Sequence, residues 1–173
     1  MPLNEPEALG RVTFMEFLAP DDPMLLAWTR FRSSLAGLPR PVPEVRPAQP
    51  VSAESSLWRL LAANNRELGR SFMLYRHFEV ARAHVEKLQA RPDLLTVEHV
   101  RGPNTGSCGW VIMAGDTPVM TCSRWYSSLS AGAVAADRAL SAFRTAFLTE
   151  TADRSDASGR FRRRTPLVAD ARP

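Results

Sequence analysis

The chain contains the same pattern twice. Residues 57–90 read as a hairpin followed by a helix, and residues 109–148 read the same way. Trp58-Arg59-Leu60-Leu61-Ala62 aligns with Trp110-Val111-Ile112-Met113-Ala114, and Glu67-Leu68-Gly69-Arg70-Ser71 with Val119-Met120-Thr121-Cys122-Ser123. A tyrosine follows in each copy (Tyr75, Tyr126), then an Ala-rich amphipathic stretch. One hairpin and one helix of this size cannot bury enough apolar surface to stand alone, whereas two copies can seal a common core. The expected fold class is therefore α+β: two tandem hairpin–helix repeats, an antiparallel sheet packed against helices, and an N-terminal helical arm.

The punctuation residues divide the chain into four parts. Residues 1–37 read as an N-terminal strand and helix arm. Residues 11–18 form a short apolar run, and Asp21-Asp22-Pro23 supplies a capping carboxylate and a proline at the first helical position. Met24, Leu25, Trp28, Phe31 and Leu35 then recur at helical spacing, and Gly37 suits a C-cap, which predicts a helix over 22–36. Residues 38–55 hold five prolines and read as a Pro-rich linker. Residues 56–148 are the tandem-repeat domain. Its hairpins turn at Asn64-Asn65 and Gly115-Asp116, its helices cover 77–90 and the stretch after Ser127-Ser128, and residues 94–100 make a connecting strand. In the last helix the expected buried stripe is Leu129, Ala133, Ala136, Leu140, Phe143 and Phe147. Residues 149–173 lose periodicity and read as a basic disordered tail.

The segment from Trp58 to Ser71, with Asn64-Asn65 at its turn and Tyr75 beyond it, resembles the YegP-like family. Its members are small bacterial proteins built from one or two strand-strand-strand-helix repeats. The resemblance covers roughly residues 57–148. The second copy is looser, with Thr117-Pro118-Val119 in place of a Gly-Glu-Val-like segment. The first copy lacks a leading strand unless residues 11–18 supply it across the linker. The resemblance implies a compact α+β domain with antiparallel strands, and it brings no established enzymatic activity and no catalytic residues.

The residue patterns offer little chemistry. His77 and His84 lie seven apart, about 10 Å along a helix, too far to chelate one ion together. No Cys-x-x-Cys pair and no Gly-x-Ser-x-Gly elbow is present. No catalytic residue, metal site, cofactor or small-molecule ligand is identifiable, and the expectation is a non-enzymatic protein. A tight second hairpin would bring Cys108 and Cys122 nearly opposite one another, but two free thiols are expected of a reducing cytoplasm. The polar, acidic start at Met1 to Gly10 has no signal core, and no apolar run is long enough to span a bilayer. The expectation is a bacterial cytoplasmic protein with no membrane partner.

Two interaction readings remain. A helix carrying Met24, Leu25, Trp28, Phe31 and Leu35 on a Pro-rich tether has the layout of a docking arm, for a protein partner or for a twin chain in a homodimer. The same helix could equally cover the sheet of its own chain. The alternative is electrostatic nucleic-acid binding. Lys and Arg outnumber Asp and Glu by 22 to 18, giving +4, and all but Lys87 are Arg. Arg160, Phe161, Arg162, Arg163 and Arg164 add a basic cluster with an interleaved aromatic. Arg124 with Ser127-Ser128 at the start of the last helix, and Arg70, Ser71 and Arg76 at the matching place of copy one, would offer weak anion sites.

Overall fold

The computed structural model describes residues 10–35 and 55–155, and the backbone of 161–163. Eight strands form one sheet: β1 (Arg11–Phe17), β2 (Ser55–Leu61), β3 (Glu67–Ser71), β4 (Leu95–Arg101), β5 (Cys108–Ala114), β6 (Thr117–Thr121), β7 (Phe147–Ser155) and β8 (Phe161–Arg163). Three helices join them: α1 (Pro23–Ser33), α2 (Phe78–Gln89) and α3 (Leu129–Thr145). The strand order is β4-β5-β6-β3-β2-β1-β7-β8, antiparallel throughout except where β1 and β7 run parallel. The α+β class expected from the repeats is the class observed.

β1 is the leading strand that the first copy lacks in its own sequence. It pairs with β2 along its whole length, placing Phe14 opposite Trp58, as β4 pairs with β5 and places His99 opposite Trp110. Each copy is thus three strands and a helix, β1-β2-β3-α2 and β4-β5-β6-α3. The hairpins turn where the sequence indicated, through left-handed Asn65 (φ 64) and Gly115 (φ 61). The ladders match the copies residue by residue. Arg59 faces Arg70 as Val111 faces Thr121, and Leu60 faces Gly69 as Ile112 faces Met120. The backbone of Trp58 donates to Ser71 Oγ as that of Trp110 donates to Cys122 Sγ. Ser71 therefore corresponds to Cys122, not Ser123, because the first hairpin loop is one residue longer. Arg70 and Thr121, which hold the same place in the two copies, pair with each other at the β3–β6 seam. The halves are related by an approximate twofold axis through that point.

Side chains alternate across the sheet, so each face has its own core. Val12, Phe14, Trp58, Leu60, Trp110, Ile112 and Met120 are buried with Ala81, Val85 and Leu88 of α2 and Ala136, Ala139 and Phe143 of α3. Phe143 stacks on Trp58 at 5.5 Å, so the helix of one copy closes over the tryptophan of the other. The buried residues of α3 are Gly132, Ala136, Ala139 and Phe143. This corrects the expected stripe: Leu129 and Phe147 are 58% and 54% exposed. Phe147 lies past the end of α3, in β7, and Leu129 is the first residue of the helix; between them Gly132, Ala136 and Ala139 let α3 lie close on the sheet, with Phe143 packed beneath it.

α1 covers the opposite face. Its start is the one expected, with Asp22 accepting from the Met24 backbone and Pro23 at the first position. It ends at Ser33, with Ser34 as cap, so it is shorter than 22–36. Leu25 and Trp28 pack with Met15, Phe17 and Leu57 of the first copy, and Leu35 packs with Phe72, Val100, Val111 and Met113, reaching the second. Trp28 Nε1 donates to the Ser71 carbonyl at 2.9 Å, and the Arg32 guanidinium lies over both Trp28 and Phe72.

Residues 149–155, expected as the start of the tail, belong to β7. β7 runs beside β1, and the β8 backbone pairs with it antiparallel. Side chains tie the polar sequence of β7 to its neighbours: Arg154 donates to Glu16 of β1, and Arg82 of α2 donates to the Thr149 carbonyl. Just before β7, Gln89 of α2 donates to the carbonyls of Phe143 and Ala146. Most of the Pro-rich linker, Gly37, and tail residues 156–160 and 164–173 lie outside the described residues.

Candidate anion-binding cleft

The sequence-derived docking face is turned inward. Leu25, Trp28 and Leu35 are each 3% exposed, and Met24 and Phe31 pack against the same clusters. The reason is physical: without α1, the second face of the sheet, from Met15 to Met113, would stand in water. Of the basic cluster, Phe161, Arg162 and Arg163 belong to the β8 backbone, and Arg160 and Arg164 lie outside the described residues.

The histidines are dispersed. His77 precedes α2, His84 sits within it, and His99 is on edge strand β4. Among the described residues no group of three or more His, Cys, Asp or Glu could hold a metal ion. Cys108 and Cys122 are free thiols. The register sets Cys122 against Trp110 and Cys108 against Tyr126, so the two cysteines are not opposite each other. Burial pushes the Cys122 thiol pKa up, which suits a packed core residue and not a nucleophile. No described helix is long and apolar enough to cross a membrane.

One concave site does gather charge. A cleft of about 410 Å3 lies between α3, the start of β3 and the turn leading out of β6. Arg66, Arg124 and Arg138 rim it, Leu68, Ala131, Val134 and Ala135 form its apolar wall, and Tyr126 and Ser130 complete it. The Arg124 guanidinium lies 5.2 Å from the Tyr126 ring centre. Glu67 also lines the cleft, but its carboxylate is taken up by Arg70 at 2.5 Å and Arg59 at 3.8 Å. Three fixed cations thus face a single committed anion. Ser128 caps α3 by accepting from the Ala131 backbone at 3.2 Å, which satisfies one free N–H of the helix start next to the cleft.

The twofold relation shows that this charge is gathered at only one of two equivalent places. At the twofold-related place, Thr117, Met73 and Lys87 stand where Arg66, Arg124 and Arg138 rim the cleft, and Glu79 stands at the place of Ser130. There the charges cancel. Copy one is also closed by a polar chain: Trp58 Nε1 donates to Tyr75 Oη at 3.2 Å, and Tyr75 Oη bonds His84 Nδ1 at 2.8 Å. Burial pushes the Tyr75 hydroxyl up to about 12 and lowers the His84 pKa. In copy two Tyr126 keeps the tyrosine, but Ala135 replaces the histidine. Of the cleft cations, Arg124 stood out in sequence through its place before a helix. Arg66 and Arg138 did not, because only the β3–β6 seam brings the first hairpin beside the second helix.

Comparison with known proteins adds one likeness. No protein-family model and no curated protein matches the chain. Among solved structures, the solution NMR structure of yegP from E. coli, a protein of unknown function, is 10% identical with a TM-score of 0.46, over 84% of this chain and 94% of that one.

Proposed function

We propose that the chain is a non-enzymatic interaction protein of the bacterial cytoplasm that recognises an acidic partner protein through the arginine-rimmed cleft between its first hairpin and α3. The observation that carries this reading is the gathering of Arg66, Arg124 and Arg138 on one concave surface whose only carboxylate, Glu67, is already paired. Arginine forks suit carboxylates and phosphates, and a partly apolar floor adds contact area. α1 has no part in this contact, since its large residues complete the core.

The test is copurification of the full chain from its native cells, with and without nuclease, read by mass spectrometry. A protein that is retained after nuclease and lost from the triple variant Arg66→Glu/Arg124→Glu/Arg138→Glu supports the proposal. A partner set unchanged by the triple variant refutes it. A second reading, single-stranded nucleic acid, is favoured by one observation: Arg124 over the half-buried Tyr126 joins a cation to a ring, the pairing that combines phosphate contact with base stacking. Three phosphate contacts would give a slope of about −2 in log affinity against log salt.

A further inference from the structure

The two copies differ at their outer edges. In copy one, β7 lies parallel along the outer edge of β1, pairing Leu148 with Val12, Ala152 with Phe14 and Arg154 with Glu16. In copy two, β4 ends the sheet, and among the described residues no strand pairs with its outer side. A seven-residue edge with an unbroken ladder to β5 and no proline is a template for one more strand.

The twofold relation compares these edges residue by residue. Because Phe14 faces Trp58 as His99 faces Trp110, the residues Val97, His99 and Arg101 hold the places of Val12, Phe14 and Glu16. Beside β7, Val12 and Phe14 are fully buried, and Phe78 at the start of α2 meets the Phe14 ring edge to face at 5.0 Å. At the open edge Val97 is half-buried, His99 is exposed, and Leu129, at the place of Phe78, is 58% exposed. The surface covered in copy one is thus uncovered in copy two. The charge at the end of the edge is reversed as well. Glu16 accepts from Arg154 of β7 at 3.3 Å, whereas exposed Arg101 stands in its place.

We infer that the outer edge of β4 takes up an extended segment of a partner protein, parallel to β4, with an apolar residue facing Val97 and a carboxylate facing Arg101. Backbone hydrogen bonds to β4 hold the segment, its apolar side chains cover Val97 and Leu129, and its carboxylate pairs with Arg101 as Arg154 pairs with Glu16. A second copy is the poorer occupant, since antiparallel self-pairing centred on β4 sets Glu98 or His99 against its own equivalent. None of these residues lines the arginine-rimmed cleft, so the inference stands apart from the function proposed for it.

The probe is a peptide of the β7 sequence, residues 147–155, carrying Arg154→Glu, titrated into the full chain and followed by backbone amide NMR. Saturable shifts at residues 95–101 and at Leu129 support the inference. The unaltered 147–155 peptide should bind about fivefold more weakly, and Arg101→Glu, at an exposed position of the protein, should reverse that preference. Shifts that are absent, confined to β1, or equal for both peptides and unmoved by Arg101→Glu overturn it. A concentration-dependent dimer that occupies residues 95–101 and excludes the peptide also overturns it, in favour of a second copy.

Discussion

Replacing Trp28 by alanine separates a helix that completes the core from one that waits for a partner. Trp28 is 3% exposed, and its indole donates to the Ser71 carbonyl at 2.9 Å. A tryptophan buries about 150–250 Å2, so at about 25 cal/mol per Å2 its truncation forfeits about 3–5 kcal/mol once the retained Cβ is allowed for. The lost hydrogen bond adds about 1 kcal/mol. Small domains are stable by about 5–15 kcal/mol, so Trp28→Ala should remove a large part of the stability. The assay is urea unfolding followed by circular dichroism, with Leu26→Ala as reference. Leu26, on the same helix and 40% exposed, should cost less than about 1 kcal/mol. A Trp28→Ala midpoint giving a loss within about 0.5 kcal/mol of zero, at unchanged slope, would mean that α1 is not seated on the sheet and would restore the docking-arm reading.

Other expectations follow from single contacts. His84 is held neutral by burial, so its folded pKa lies below its usual 6.5. The unfolded chain then binds the proton more readily, and stability present above pH 6.5 is lost as pH falls below it; His84→Gln should flatten that loss in thermal melts run across this range. Tyr75 acts at the other end. With its pKa raised from 10.0 to about 12, its contribution is complete below pH 10 and is lost as pH rises toward 12, a loss absent in Tyr75→Phe melts. Gly69→Ala would bring a Cβ to 2.8 Å from the Trp110 ring and 3.1 Å from the Thr121 carbonyl, both fixed in the core, and should cost about 1–3 kcal/mol in urea unfolding. Ser128→Ala removes the cap of α3 and should cost about 1 kcal/mol by the same assay.

Much of the architecture was written in local residue choices. Asn65 and Gly115 mark their turns, Asp22-Pro23 marks the start of α1, and Ala81, Val85 and Leu88 mark the buried face of α2. What stayed hidden depended on distant partners. The polar run Thr149 to Asp153 has no strand periodicity of its own and is ordered by β1 and by Arg82 and Arg154. The destination of α1 was open in sequence because a free docking face and a core-covering face have the same composition. The phase of α3 was misread because alanines occupy both its faces, and the choice falls to whichever lets the helix approach most closely. The cleft was illegible for a related reason: Arg66 and Arg138 come from different copies, and their meeting follows from the antiparallel seam at Arg70 and Thr121.

Cross-strand backbone NOEs measured on the intact chain test most directly whether two equivalent copies share one sheet. The pairs to find are Phe14 with Trp58, which makes β1 the first strand of copy one, and Arg70 with Thr121, which joins the copies at their axis. Both sets are expected, with strand-like chemical shifts from Arg11 to Phe17. Random-coil shifts for that segment, or a seam without NOEs, would contradict the twofold arrangement and with it the cleft.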